Sequence, residues 1–177
     1  MSARPASQYP IPLGLNAAIM RVPKPPLHFY RYLYFQVGYD WAWETRLRMN
    51  DRQLRAAIHV DDTEIFVLHL EGAPSGFFEI NRRDPNCTDI AYFGMMRHAQ
   101  GRGLGKWFLS AAIHAAWENE PETITVNTCT LDHPAALPLY QKMGFSPVRQ
   151  ASGRVFPLSD DEIANLAVKA AAGDATG

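Results

Sequence analysis

Residues 92–106 read Tyr92-Phe93-Gly94-Met95-Met96-Arg97-His98-Ala99-Gln100-Gly101-Arg102-Gly103-Leu104-Gly105-Lys106. The pattern is a buried strand, a turn rich in glycine and basic residues, and the opening of a helix. Gly101, Gly103 and Gly105 remove Cβ at every second position, so main-chain N–H groups can approach a ligand closely. The helix that follows points its positive end at the same place, and Arg102 and Lys106 add formal charge. Such a turn is an anion site, where each charge-assisted hydrogen bond to a phosphate contributes roughly 1.5–3 kcal/mol. A P-loop would need Ser or Thr after Lys106, where Trp107 stands. The Gly-x-Gly-x-x-Gly spacing of a dinucleotide turn is absent too.

Outward from this turn, the flanks supply the context. Residues 88–97 form the strand feeding it, and Gly94 within that strand marks a bulge or the close approach of another backbone or ligand. Residues 104–119 form an amphipathic helix followed by Pro121, and residues 123–129 form a β-branched strand. A strand–helix–strand unit of this length makes a right-handed crossover between parallel strands. Before it, strands at 64–71 and 76–81 with turn residues between them read as an antiparallel hairpin. A strand at 17–22, a helix at 27–37, an irregular segment at 38–50 and a helix capped by Asn50 and Gln53 precede that hairpin. After the crossover come a short helix over 134–143 stopped by Gly144, and an expected antiparallel pair at 145–150 and 154–158. A final helix begins at the capping box Ser159-Asp160-Asp161-Glu162 and carries Ile163, Leu166, Ala167 and Ala170. The expected organisation is a loose arm at 1–16, one domain at 17–158 with a mixed sheet flanked by helices, and a C-terminal helix and tail at 159–177.

Composition bounds the function. The chain of 177 residues is 47% apolar and 20% charged with net charge −1, enough for one core and without a basic run for nucleic acid. No segment reaches transmembrane length, no signal peptide is evident, and Cys87 and Cys129 are too few for a disulfide framework or a zinc site. A cytoplasmic protein without metal is expected. Asp132 and His133 are neighbours in sequence, an arrangement that does not supply a catalytic triad.

Two stretches together carry a family resemblance. Gln100-Gly101-Arg102-Gly103-Leu104-Gly105 is similar to the coenzyme A pyrophosphate turn of the GNAT acyltransferase superfamily. One helix and one strand later, 132–145 reads Asp132-His133-Pro134-Ala135-Ala136-Leu137-Pro138-Leu139-Tyr140-Gln141-Lys142-Met143-Gly144-Phe145. It resembles the family's segment ending in Tyr-x-x-x-Gly-Phe. Pro138 departs from that pattern and is expected to bend the helix or remove a hydrogen bond near its start.

The resemblance implies a GNAT fold (α/β, with a mixed central sheet) and transfer of an acetyl group from acetyl-coenzyme A to an amine of a small molecule or peptide. The implied coenzyme-binding residues are Met95, Met96, Arg97, Gln100, Gly101, Arg102, Gly103, Leu104, Gly105, Lys106, Asn127 and Tyr140. Met95 is the candidate N–H donor to the thioester carbonyl, and Tyr140 the candidate proton donor to the leaving thiolate. Asp89 and Glu79 are alternative general bases, and each also reads as an ordinary strand charge. Tyr30, Tyr34, Trp41, Trp43, Glu79 and Tyr92 are the candidate acceptor-binding residues, with core packing the competing role for the aromatics. A non-catalytic acyl-coenzyme A sensor and a protein N-terminal or lysine acetyltransferase are the alternative readings, and a homodimer is compatible with the family.

Overall fold

The computed structural model describes residues 1–172, with side chains described through Leu166. Five strands form one sheet in chain order: β1 (Ala17–Arg21), β2 (Thr63–Leu70), β3 (Ala73–Asp84), β4 (Cys87–Met95) and β5 (Thr123–Val126). The first three pairings are antiparallel and β4–β5 is parallel. The helices are α1 (Leu27–Gly38), α2 (Thr45–Arg48), α3 (Asp51–Ile58), α4 (Leu104–Ala116), α5 (Ala136–Lys142) and α6 (Asp160–Ala172). The expected mixed sheet with flanking helices is therefore present.

Alternation along β3 divides the core in two. Phe78 and Ile80 pack with Phe108, Leu109 and Ala112 of α4, and Phe77 packs with Tyr30, Tyr34 and Val37 of α1. Successive strand side chains face opposite sides of a sheet, so one strand feeds both cores. Asn50 and Gln53 cap α3 reciprocally, at 2.9 and 3.0 Å, as the sequence indicates. Residues 38–50 are more regular than expected, forming a 3₁₀ turn (Tyr39–Trp41) and α2.

Three sequence expectations need correction. The bulge in β4 falls at Ala91, because Glu79 pairs with Tyr92 while Ile80 pairs with Ile90. Gly94 is in register with Phe77, and what approaches it is a side chain: an added Cβ would lie 2.4 Å from Val37 Cγ1. The antiparallel pair expected at 145–158 is also absent. Those residues form no strand, and Val148 and Phe156 are exposed. The outer edge of β5 is instead met by the chain's N-terminus, with Ile124 N–H donating to Met1 C=O at 2.9 Å and the Met1 ammonium donating to Ile124 C=O at 2.8 Å.

The segment 1–16, expected as a loose arm, is tied at further points along α4. Tyr9 N–H donates to Ser110 Oγ at 3.0 Å, and the Ser7 carbonyl lies 3.3 Å from His114 Nε2. At the other end of the chain, Leu158 and Leu166 pack against the α1 core, and Arg48 pairs with Glu162 at 3.0 Å. Arg48 and the Ser159 N–H hold the Glu162 carboxyl down at about 2. The other apolar positions noted on α6, Ala167 and Ala170, and the tail 173–177 lie outside the residues so described.

Gly94→Ala should lower unfolding stability by about 1–3 kcal/mol through overpacking against Val37. A urea double-mutant cycle with Val37→Ala should return a coupling of at least about 1 kcal/mol. Additive effects would mean that the two positions do not touch.

Candidate functional site

The site begins where the parallel ladder stops. β4 and β5 pair from Cys87 opposite Thr123 to Ile90 opposite Val126. Beyond the Ala91 bulge, β4 continues to Met95 while β5 ends at Val126. Between the separated chains lies a cavity of about 370 Å³. Its walls come from both cores: Val37, Trp43 and Tyr92 from the α1 side, and Phe93, Leu139 and Tyr140 from the α4 side. The opening therefore passes through the sheet rather than lying on one face.

At one end stands the glycine turn. Gly101 and Gly103 have φ of +73° and +78°, in the left-handed region where a side chain is strained. Gly103 occupies the N-cap of α4 with no side-chain cap, and no acidic residue stands in the first turn. The leading N–H groups of a helix have no partner within it, so this end presents an anion cradle. Lys106 lies beside Lys142, whose charge pushes the Lys106 ammonium below its usual range. Sequence reasoning did not single out Lys142, and only the fold brings it next to the turn.

The end of β4 supplies main-chain groups. Met96 N–H donates to Ser75 C=O on β3 at 2.9 Å. Backbone groups of successive strand residues face opposite edges, so the Met95 N–H faces the gap. The Gln100 amide holds the Met95 carbonyl at 3.0 Å, linking the first residue of the glycine motif to the strand it follows. Met96 itself is buried in the α1 core, and Arg97 reaches outward to Asp40, with Nε 2.6 Å from Oδ2.

Tyr140 is held by the end of α5. Gly144 takes φ +99°, Phe145 N–H donates to Tyr140 C=O at 3.0 Å, and the Phe145 ring meets that of Tyr140 edge-on at 6.1 Å. This is a Schellman closure in which Tyr140 is the C3 residue and Phe145 its apolar partner. The spacing Tyr-x-x-x-Gly-Phe thus has a mechanical reason: it fixes the tyrosine against the turn that ends its helix. Pro138 causes no break. It sits in the first turn of α5, where its missing N–H had no intrahelical partner, and Leu139 N–H still reaches Ala135 C=O at 3.0 Å. Burial pushes the Tyr140 phenol well above its ordinary value, and the Asp132 carboxylate pushes it further.

The sequence candidates separate into those at the cavity and those around it. Trp41, Trp43, Tyr92, Met95, Gln100, Gly101, Gly105, Asn127 and Tyr140 line it. Tyr30, Tyr34 and Glu79 stand behind the Tyr92 wall. Glu79 is fully buried, accepting from Tyr30 Oη and from Arg46 Nη2, both at 2.5 Å. Burial pushes its carboxyl up, against the pull of Arg46 and Tyr30. The Arg46 guanidinium lies 5.4 Å from the Tyr92 ring centre, and Tyr34 packs edge-on to Tyr92 at 4.9 Å. Asp89 lies on the paired rungs and accepts from Thr125 Oγ1 at 2.7 Å, with burial raising its carboxyl. Neither carboxylate lines the cavity, whereas Asp132 and His133 do.

A family model for the GNAT acetyltransferases matches residues 28–145. The chain belongs to the GNAT family of acetyltransferases. Solved structures agree in fold. The aminoglycoside N-acetyltransferase AAC(6')-Iy in complex with coenzyme A is 17% identical, with a TM-score of 0.61 over 81% of this chain and 97% of that one. The IAA acetyltransferase from Bacillus cereus is 24% identical, with a TM-score of 0.55 over 74% and 79%. A transcriptional regulator from Bacillus halodurans is 18% identical, with a TM-score of 0.60 over 80% and 100%. None of the curated proteins matches the chain in sequence. Among the described residues of this GNAT chain, no helix is long and apolar enough to cross a membrane.

Glu79→Ala should cost about 3–5 kcal/mol of unfolding free energy, because it strands the Arg46 charge in the core. Urea denaturation tests this, and a loss below about 1 kcal/mol would show that the pair is not desolvated.

Proposed function

We propose that the protein transfers an acetyl group from acetyl-coenzyme A to a primary amine of a small molecule or peptide, by direct attack within a ternary complex. The observation that carries this reading is the through-sheet cavity, which runs from an uncapped helix N-terminus to Tyr140. Main-chain N–H groups of residues 101–105 suit a pyrophosphate, with Arg102 and Lys106 adding charge, while the Gln100 N–H closes the preceding turn on Arg97 C=O. The open edge of β4 and the Asn127 backbone suit the amide groups of a pantetheine arm. Met96 and Arg97 support this edge from outside the cavity.

The bound thioester supplies an activated acyl group, and this chain's residues supply charge stabilisation. The Met95 N–H serves the carbonyl oxygen as it gains negative charge. Tyr140, un-ionised throughout the working pH range, donates a hydrogen bond to the departing sulfur. Complete transfer of its proton to a thiolate of pKa about 8.5 would run uphill from so raised a phenol, so the bond matters more than early protonation. Carbon–nitrogen bond formation and carbon–sulfur bond cleavage release one proton to the thiol and one to solvent. Asp89 and Glu79 would act as bases only through water or through Tyr92. Trp41, Trp43 and Tyr92 form the acceptor wall, with Tyr30 and Tyr34 holding Tyr92 in place.

A thiol-release assay over a panel of amines tests the activity. A sensor would bind coenzyme A and release no thiol. Tyr140→Phe should lower kcat by about 10²-fold with coenzyme affinity kept, and wild-type turnover should show no alkaline loss from this phenol below about pH 10. Full turnover in Tyr140→Phe at every pH would remove the role. Gly103→Glu should abolish coenzyme binding by calorimetry, since it places a carboxylate and a strained φ in the anion cradle. Retained binding would move the diphosphate elsewhere.

A further inference from the structure

Asp132 carries the one formal charge among the described residues lining the cavity, which include no Lys or Arg. Its Oδ2 accepts from Thr128 Oγ1 at 2.9 Å and from Cys129 N–H at 2.8 Å. Its Oδ1 has a single long contact, 3.5 Å from the Trp43 indole Nε1. A carboxylate has about four lone-pair sites, so the oxygen on the Trp43 side keeps accepting capacity. Three other acids near this wall pair with arginines. Asp40 is paired with Arg97, Glu44 with Arg48 at 3.2 Å, and Glu79 with Arg46.

The surroundings favour a cation. Trp41, Trp43, Tyr92 and Tyr140 line the same cavity, and indole and phenol faces attract positive charge. His133 does not compete for the carboxylate. Its Nδ1 accepts from Ala135 N–H at 3.0 Å, which leaves the ring proton on Nε2, and its ring stands edge-on to Trp41 at 5.1 Å.

We propose that Asp132 anchors the acceptor's ammonium group, and that the acceptor is a compact aliphatic monocation. The proposal rests on the transferase reading for the word acceptor, while the binding site itself does not. One carboxylate beside an aromatic wall matches one ammonium on an apolar body. It does not match a polycationic aminosugar, which would need several carboxylates. The anchored ammonium gives up one proton to water before its nitrogen attacks. The second nitrogen proton leaves as the carbon–nitrogen bond forms and the carbon–sulfur bond breaks, and the sulfur departs as thiol.

The test compares n-hexylamine with 1-hexanol, near-isosteres that differ in charge, by the change in tryptophan fluorescence, in which Trp41 and Trp43 of the chain's four tryptophans line the cavity. Wild type should bind the amine at least about tenfold tighter than the alcohol. Asp132→Asn keeps an oxygen for Thr128 and Cys129 but loses the charge. It should bring the two affinities to within about twofold, with 1-hexanol affinity and Tm unchanged. In the thiol-release assay with n-hexylamine, KM should rise about tenfold with a smaller change in kcat. A preference for the amine that survives Asp132→Asn, a parallel loss of alcohol and amine binding, or no binding of either by wild type would each overturn the proposal. Charge-selective binding without thiol release from any amine would leave the anchor standing and refute the transferase reading.

Discussion

Four rungs join β4 to β5, from Cys87 opposite Thr123 to Ile90 opposite Val126, and then the two chains part. Every other feature of the site depends on that parting. A continuous parallel ladder would occupy the main-chain groups that β4 presents and close the passage between the two cores. The Ala91 bulge sits where pairing ends, and among the described residues no strand beyond Val126 restores it. The gap is therefore built by local backbone geometry, which side-chain substitution in the walls should not readily close.

Each side of the gap is held by a different device. On the α4 side, the closure at Gly144 and Phe145 fixes Tyr140. On the α1 side, Glu79, Arg46 and Tyr30 form a buried, hydrogen-bonded polar cluster under Tyr92. A buried charge pair is no guide to stability in itself, since desolvation offsets much of its attraction. Here it stiffens the wall that an acceptor would touch. Gly94 matters for a related reason: Val37 packs where a Cβ would be, which brings α1 close against the strand that lines the gap.

The sequence made the fold legible where local chemistry speaks alone. Asn50 and Gln53 announce α3, Gly144 announces the end of α5, and the glycine turn announces the start of α4. Residues 145–158 misled, because apolar residues such as Val148 and Phe156 read as strand while the edge they would join is met by Met1. The site was legible in part. Trp41, Trp43, Tyr92 and Tyr140 do line one cavity, but Glu79 and Asp89 have partners that only tertiary contact provides. The surroundings of Asp132, which the sequence offers only as a neighbour of His133, and of Lys142 likewise come from tertiary contact. A carboxylate in a turn and a lysine on a short helix carry no sequence sign of what they face.

In the proposed complex, the main-chain amides of residues 101–105 hold a diphosphate so that an acyl group rests between Met95 and Tyr140. A crystal structure with acetyl-coenzyme A bound tests it most directly. The account predicts the diphosphate on those amides, the thioester oxygen within hydrogen-bond reach of Met95 N–H, and the sulfur within reach of Tyr140 Oη. A coenzyme seated outside the gap between β4 and β5, or a thioester pointing away from Tyr140, would contradict it.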